Sequence, residues 1–474
     1  MMQRIAELES THQGLNLLKI SLNYTDTAEP TVHFEMTRAG ESLGLLEMLG
    51  SEIGLPFSRD DAYEKDSQAD LPTPGRLVDF LLATVVSDRR VVYIAFVPPS
   101  GYLPLVPWER LIGPALGLPV LRLPTLPLRP IVPQSHLTVA FCMTLPLSKQ
   151  YLPPLEVLDQ FIHQMAPQPQ MPGTVHVFAD EPLYAALGAF ANQLPNRDYL
   201  QLHDPKNAQK YDLARRTTDI SDDQSNLESP WLLWMRDELQ GTGIDAVHFL
   251  CHGYLGRTRG GLAVAESPMI NVDREWARFI GTRQLSTFLE QLGAWCALFS
   301  GPPDNFSRSG LRMLQAEMAE ILPLPTVLHD MRDDPGGVGL QAAYHFLFDQ
   351  KETPPPASGA LSMVFPPSWV LPDQHQGEEK LNTMFQELTL AGRLGRQLKQ
   401  SQNLPGWVAA AQRSLERAVA NVSVNPANDI EAAEQKGSQD ALRFMADLYT
   451  KYAIKGTKST PQVEAQVSES EEVG

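Results

Sequence analysis

Residues 245–261 read DAVHFLCHGYLGRTRGG. An apolar run, residues 246–250, leads into Cys251, His252 and Gly253 and then into a basic loop containing glycines. A short run of this kind is consistent with a buried strand, and neighbouring residues on a strand point to opposite faces. His248 and His252, four apart, therefore share one face. Cys251 takes the other, so the adjacent Cys251 and His252 cannot readily serve each other as nucleophile and base.

Working outward from this stretch, short apolar runs alternate with helical patterns from about residue 135. The strand candidates are LTVAFCMTL, TVHVFA, AVHFLCHG, AWCALFSG and PTVLHDM, with helices expected over 155–165, 182–193, 230–239, 282–292, 310–322 and 338–348. Such alternation predicts an α/β fold: a mostly parallel sheet with crossover helices on both faces. Sheets of this class hold ligand chemistry at the carboxyl ends of their strands, where His252 and the turn SGPPDN (300–305) both fall.

Upstream, LNLLKISLNY and TVHFEMTRAG suggest a β-hairpin, GRLVDFLLATVV a helix and RRVVYIAFVP a further strand. The stretch YLPLVPWERLIGPALGLPVLRLPTLPLRP is too rich in proline for a regular element. Downstream, ETPPPASGALSMVFPPSWVLP reads as a tether to long amphipathic helical segments. The expected organisation is a β-rich N-terminal region with a proline-rich connector (1–134), an α/β domain (135–350), a linker (351–373), a helical region (374–455) and a disordered acidic tail (456–474).

Composition narrows the function. The 474 residues carry a formal net charge of −18, which disfavours nucleic acid or an acidic lipid surface as the main partner. Three cysteines, Cys142, Cys251 and Cys296, form neither a disulfide framework nor a CxxC pair. No signal-like start and no membrane-length apolar run is present, so a soluble cytoplasmic protein is expected. The pair His248 and His252 lacks the glutamate of HExxH, and SGPPDN lacks the P-loop, GxGxxG and GxSxG patterns. Neither a metal nor a cofactor is expected.

The remaining polar positions each admit two readings. His252 is either a general base at a strand end or a partly buried histidine bonded to backbone. Asp333 and Asp334, in HDMRDD (329–334), form either a pocket for a cation or a polar turn. Cys142 and Cys296 lie within apolar runs and read as core, as do Trp231 and Trp234 on one helix face.

Taken in order, LPLVPWERL, LPVLRLP, VHFLCHG, GGLAVAESP, TRQLSTFLEQL, AWCALFSG and LPTVLHDMRDD with GLQAAYHFLF resemble a CHAT domain, of the caspase- and separase-related clan CD peptidases. The resemblance spans roughly residues 104–348. It implies a caspase-like sheet over 135–350, His252 as the base and Gly253 as backbone donor of an oxyanion hole. The nucleophile position aligns with Gly301 or with Leu298, and neither supplies a thiol; the hydroxyl of Ser300 is the nearest substitute. The family also implies that Asp333 or Asp334 would receive a basic substrate residue. Two functions follow as expectations: a degenerate scaffold or adaptor in a bacterial signalling or defence pathway, or an endopeptidase cleaving a partner protein after a basic residue.

Overall fold

A computed structural model describes residues 5, 9, 15–25, 28–55, 73–85, 91–98, 100–124, 137–144, 173–191, 199–211, 226–239, 242–256, 259–269, 277–302, 305–322, 324–348, 353–367 and 370. The N-terminal elements are β1 (Asn16–Thr25), β2 (Ala28–Arg38), β3 (Glu41–Leu49), α1 (Gly75–Thr84), β4 (Val92–Phe96), α2 (Trp108–Leu116) and β5 (Val120–Arg122). Next come β6 (Leu137–Thr144), β7 (Gly173–Ala179), α3 (Glu181–Ala191), β8 (Leu200–Leu202), α4 (Pro230–Glu238) and β9 (Ala246–Leu255). The chain continues through β10 (Gly260–Ala265), β11 (Ala277–Gly281), α5 (Thr282–Leu292), β12 (Cys296–Gly301), α6 (Asn305–Ile321), β13 (Thr326–Asp330), α7 (Val338–Phe348) and β14 (Leu361–Val364).

The strands join in one path, β3-β2-β1-β4-β5-β14-β13-β12-β9-β6-β7-β8, with the hairpin β10–β11 attached to the far end of β9. From β13 to β8 every pairing is parallel, and β14 runs antiparallel to β13. The expected α/β class and its mostly parallel sheet are thus present, and helices cover both faces. Leu340, Ala343, Tyr344 and Leu347 of α7 pack with Leu250, Leu298 and Val327 on one face. Trp231 and Trp234 of α4, Leu285 and Phe288 of α5 and Leu311 and Leu314 of α6 pack with Phe249, Cys251 and Phe299 on the other. With both faces covered, every residue of LTVAFCMT in β6 is buried, which is why this strand shows no polar alternation.

Three segments differ from the sequence expectation. The proline-rich stretch before residue 124 contains α2 and β5: Pro107 stands just before the helix, where no intrahelical amide is required, and Pro119 just before the strand. Residues 361–364, which proline content assigns to a linker, form β14 in the sheet interior, because the apolar run LSMV lies between the prolines and finds both β13 and β5 beside it. The β-rich N-terminal region expected over 1–134 therefore extends the sheet edge to edge through β5–β14. The helix expected over 155–165, the region 374–455 and the tail 456–474 lie outside the described residues.

Candidate functional site

The adjacent strands β9, β12 and β13 bring the polar residues of the sheet together. Ser300 pairs with Leu250 on one side and with His329 on the other, while His248 lies beside Leu298. By strand alternation His248, Ser300 and His329 point to the face covered by α7. All three are buried, as is Tyr344 on α7.

They form one hydrogen-bonded chain. The Tyr344 hydroxyl lies 2.6 Å from His248 Nδ1, and His248 Nε2 lies 2.8 Å from Ser300 Oγ. Ser300 Oγ is 3.1 Å from His329 Nδ1, and His329 Nε2 is 3.2 Å from Asp334 Oδ2. Burial holds the Tyr344 hydroxyl well above its ordinary range, with Cys296 adding to the effect, so it keeps its proton and donates to His248. Burial and the neighbouring His329 keep His248 well below the ordinary histidine value, hence neutral, with Nε2–H donating to Ser300. Ser300 then donates to His329 Nδ1, and His329 Nε2–H donates to the Asp334 carboxylate. Burial pushes Asp334 up, but hydrogen bonds from His329 and from the Leu340 and Val338 amides outweigh it and hold the group below its usual value. Asp334 thereby caps the start of α7 and orients His329 at once.

Ser300 and Gly301 close β12, whereas His252 lies inside β9. His252 and Gly253 do not end β9; they pair with Ala263 and Leu262 of β10 as the strand runs on to Leu255. Ser300 bonds to His248 and His329. Leu298 is fully buried in the core beneath α7, and a Cβ on Gly301 would meet Leu311 of α6 at 3.2 Å. Cys251 packs on the face opposite to α7, as alternation predicts. Cys296 pairs with Ala246, six residues before His252, which separates the two by about 20 Å along the strand.

Asp333 is bridged by Arg110 of α2 at 3.3 Å. Burial and the nearby Asp330 push its carboxyl above the usual carboxylate range, against the pull of Arg110, Arg308 and Arg312. Arg308 and Arg312 both approach Asp330, at 3.4 and 3.8 Å. Arg308, Arg312, Asp330 and Asp333 line a cavity of about 20 Å³ with Glu109, His329 and Ser362, room for a water. Asp333 and Asp334 are thus engaged by the chain's own cations and helix.

Comparison with family models, with curated proteins and with solved structures returns no match to this chain. Among the described residues no group of three or more His, Cys, Asp or Glu is placed to hold a metal, and no helix is long and apolar enough to cross a membrane.

The thiols give a direct test of reactivity. Cys142, Cys251 and Cys296 are all buried, and burial raises each thiol well above its ordinary value. Iodoacetamide should leave the native protein unmodified at about pH 6 and label all three cysteines after unfolding, because the thiolate is the reactive species. Stoichiometric labelling of one cysteine in the native protein at that pH would show a reactive thiol that this packing does not contain.

Proposed function

We propose that this chain is a catalytically degenerate CHAT-like scaffold or adaptor acting through a protein partner in a bacterial signalling or defence pathway. The strand order β8-β7-β6-β9-β12-β13-β14, its antiparallel last member and the hairpin after β9 are compatible with a caspase-like sheet. The observation that carries the reading is the absence of a thiol at the base: the β12 residues aligned with a nucleophile are Leu298 and Gly301, and Cys296 is buried one strand length away from His252.

A second reading, an endopeptidase cleaving after a basic residue, draws on one specific observation: Ser300, His329 and Asp334 follow the order of a nucleophile, a base and an orienting acid. Against it, Ser300 lies beneath α7, while the cavity lined by Arg308, Leu311 and Arg312 lies toward α6 on the other side of the sheet.

Incubation of the parent protein, His252→Ala and Ser300→Ala with pools of lysine- and arginine-containing peptides, read as new amino termini by mass spectrometry, separates the two. No new termini should arise from the parent, and His252→Ala should lose about 1–3 kcal/mol of stability through its buried ring. Cleavage by the parent that vanishes in His252→Ala at unchanged thermal midpoint overturns the scaffold reading, and its loss in Ser300→Ala would name the hydroxyl as nucleophile.

A further inference from the structure

At the β8 end of the sheet a second polar cluster joins β7, β8 and α4. His176 of β7 is buried, and its Nδ1 lies 3.0 Å from Nε2 of His203, the residue that follows β8. The two rings meet head to head with their planes 26° apart. His203 is held from two further directions: Phe178 stacks on it at 4.3 Å, and Glu238 of α4 lies 3.3 Å from its Nδ1. Asn207, in the short helical turn Pro205–Tyr211, donates to the same carboxylate at 2.7 Å.

The hydrogen positions follow from the partners. A carboxylate only accepts, so His203 carries its hydrogen on Nδ1 and donates to Glu238. In neutral His203 the Nε2 is then a lone pair, and Nδ1 of His176 supplies the hydrogen between the rings. One added proton is tolerated: it enters at Nε2 of His176, the shared hydrogen passes to His203, and the imidazolium so formed lies beside Glu238. A second proton is not tolerated, because both facing nitrogens would carry hydrogen and both rings a positive charge across 3.0 Å. Burial pulls both histidines below the ordinary value; the charge of His203 adds to this at His176, which falls to about 4, while Glu238 works against it at His203. A histidine held low favours its neutral form in the folded chain. The contact is therefore complete above the ordinary value of about 6.5 and is lost as pH falls below it. The other titratable groups nearby are engaged or neutral. On α4, Arg236 donates to Asp237, as do Lys210 and Tyr211 from the turn. Asp204 accepts from the Lys206 amide, and the Lys206 side chain is exposed. Cys142 of β6 stays a thiol through burial, and Glu181 and Tyr184 belong to α3 on the opposite face.

We infer that His176 and His203 form an acid-released clasp, which holds β8 and residues 205–211 against β7 and α4 and opens when the pair takes up its second proton. β8 has three residues and, among the described residues, pairs with β7 alone, so this margin can part while the strands inside it stay joined. Opening uncovers Phe178 and Trp234, both fully buried in the closed form. The clasp lies apart from Ser300 and His252, and it stands whichever reading of those residues holds.

Hydrogen exchange of the full chain, corrected for the intrinsic rate at each pH, tests it. Between about pH 7 and about pH 5, above the range where ordinary carboxylates titrate, residues 199–211 should lose about tenfold or more in protection while β6, β9 and β12 keep theirs. His176→Asn, whose amide can donate to His203 but takes up no proton, should remove that dependence. The ratio is read within each variant, so a general loss of stability cancels. Glu238→Gln, which withdraws the counter-charge for the first proton, should move the opening toward neutral pH by about one unit. In the parent at about pH 7, nitrogen chemical shifts of the rings should report His176 and His203 as Nδ1–H tautomers. Unchanged protection of residues 199–211 in acid, loss in step with the whole sheet, an equal fall in His176→Asn and in the parent, or an Nε2–H form of either ring at neutral pH would each overturn the proposal.

Discussion

Glu109→Ala should cost about 3–5 kcal/mol, seen as a lowered denaturant midpoint with an unchanged slope. Glu109, on α2, and Arg122, on β5, are both buried and meet through Nε at 2.6 Å and Nη2 at 3.2 Å. The same guanidinium donates to the Pro104 and Val106 carbonyls, and Ser362 of β14 donates to Glu109. Truncating the carboxylate leaves a guanidinium inside the protein with no counter-charge from this partner and removes an acceptor for Ser362. The large effect belongs to breaking the pair, not to the pair's net worth. Glu109→Leu combined with Arg122→Met should therefore recover much of the loss, since apolar groups of similar size need no compensation. A cost below about 1 kcal/mol for Glu109→Ala would mean that water reaches the site and that the pair does not hold α2 to the sheet.

That pair also gives two sequence fragments a physical meaning. PWERL and LPVLRLP stand apart in the chain and look like pieces of a connector, yet they supply the acid and the base of one buried contact. Local pattern was sufficient for the strands β6, β7, β9, β12 and β13 and for α5, whose apolar residues recur at the helical period and whose end is marked by Gly293 at φ 70°. It was insufficient for β14, where flanking prolines hid four residues that only the neighbouring strands make into a strand. The site was half legible. His248 and His252 could be put on one face by counting, but which strand lies beside which, and in what register, is set by contacts distant in sequence. That register joins Ser300 to His329 and leaves His252 to pair across the β10 hairpin. Tyr344 could not have been linked to His248, because the bond runs from a helix to a strand across 96 positions. One signal was available: His248, Ser300 and His329 are polar residues embedded in apolar runs, where an unpartnered polar group is costly, so each called for a partner.

The sharpest consequence of the packing concerns two glycines. Gly310→Ala in α6 should destabilise the protein by about 3 kcal/mol, although glycine to alanine inside a helix ordinarily stabilises by roughly 0.5–1 kcal/mol. A Cβ on Gly310 would stand 2.6 Å from the Tyr254 amide nitrogen and carbonyl carbon. These are backbone atoms of β9, tied to Gly261 of β10, and they cannot rotate away as a side-chain tip would. Gly260→Ala should be at least as costly, because its Cβ would lie 2.3 Å from the Gly310 carbonyl oxygen and from the Leu314 amide. The two positions let the β9–β10 hairpin and α6 touch backbone to backbone, which anchors the strand carrying His252 and Gly253. Gly188→Ala supplies the contrast: it is also helical, in α3, but a Cβ there meets nothing within 4 Å, so a gain of about 0.5–1 kcal/mol is expected. Chemical denaturation of the three variants should thus give one change of sign among identical substitutions. A stabilising Gly310→Ala would mean that α6 and the hairpin stand further apart than this contact requires, and the placement of β9 against α6 would fall with it.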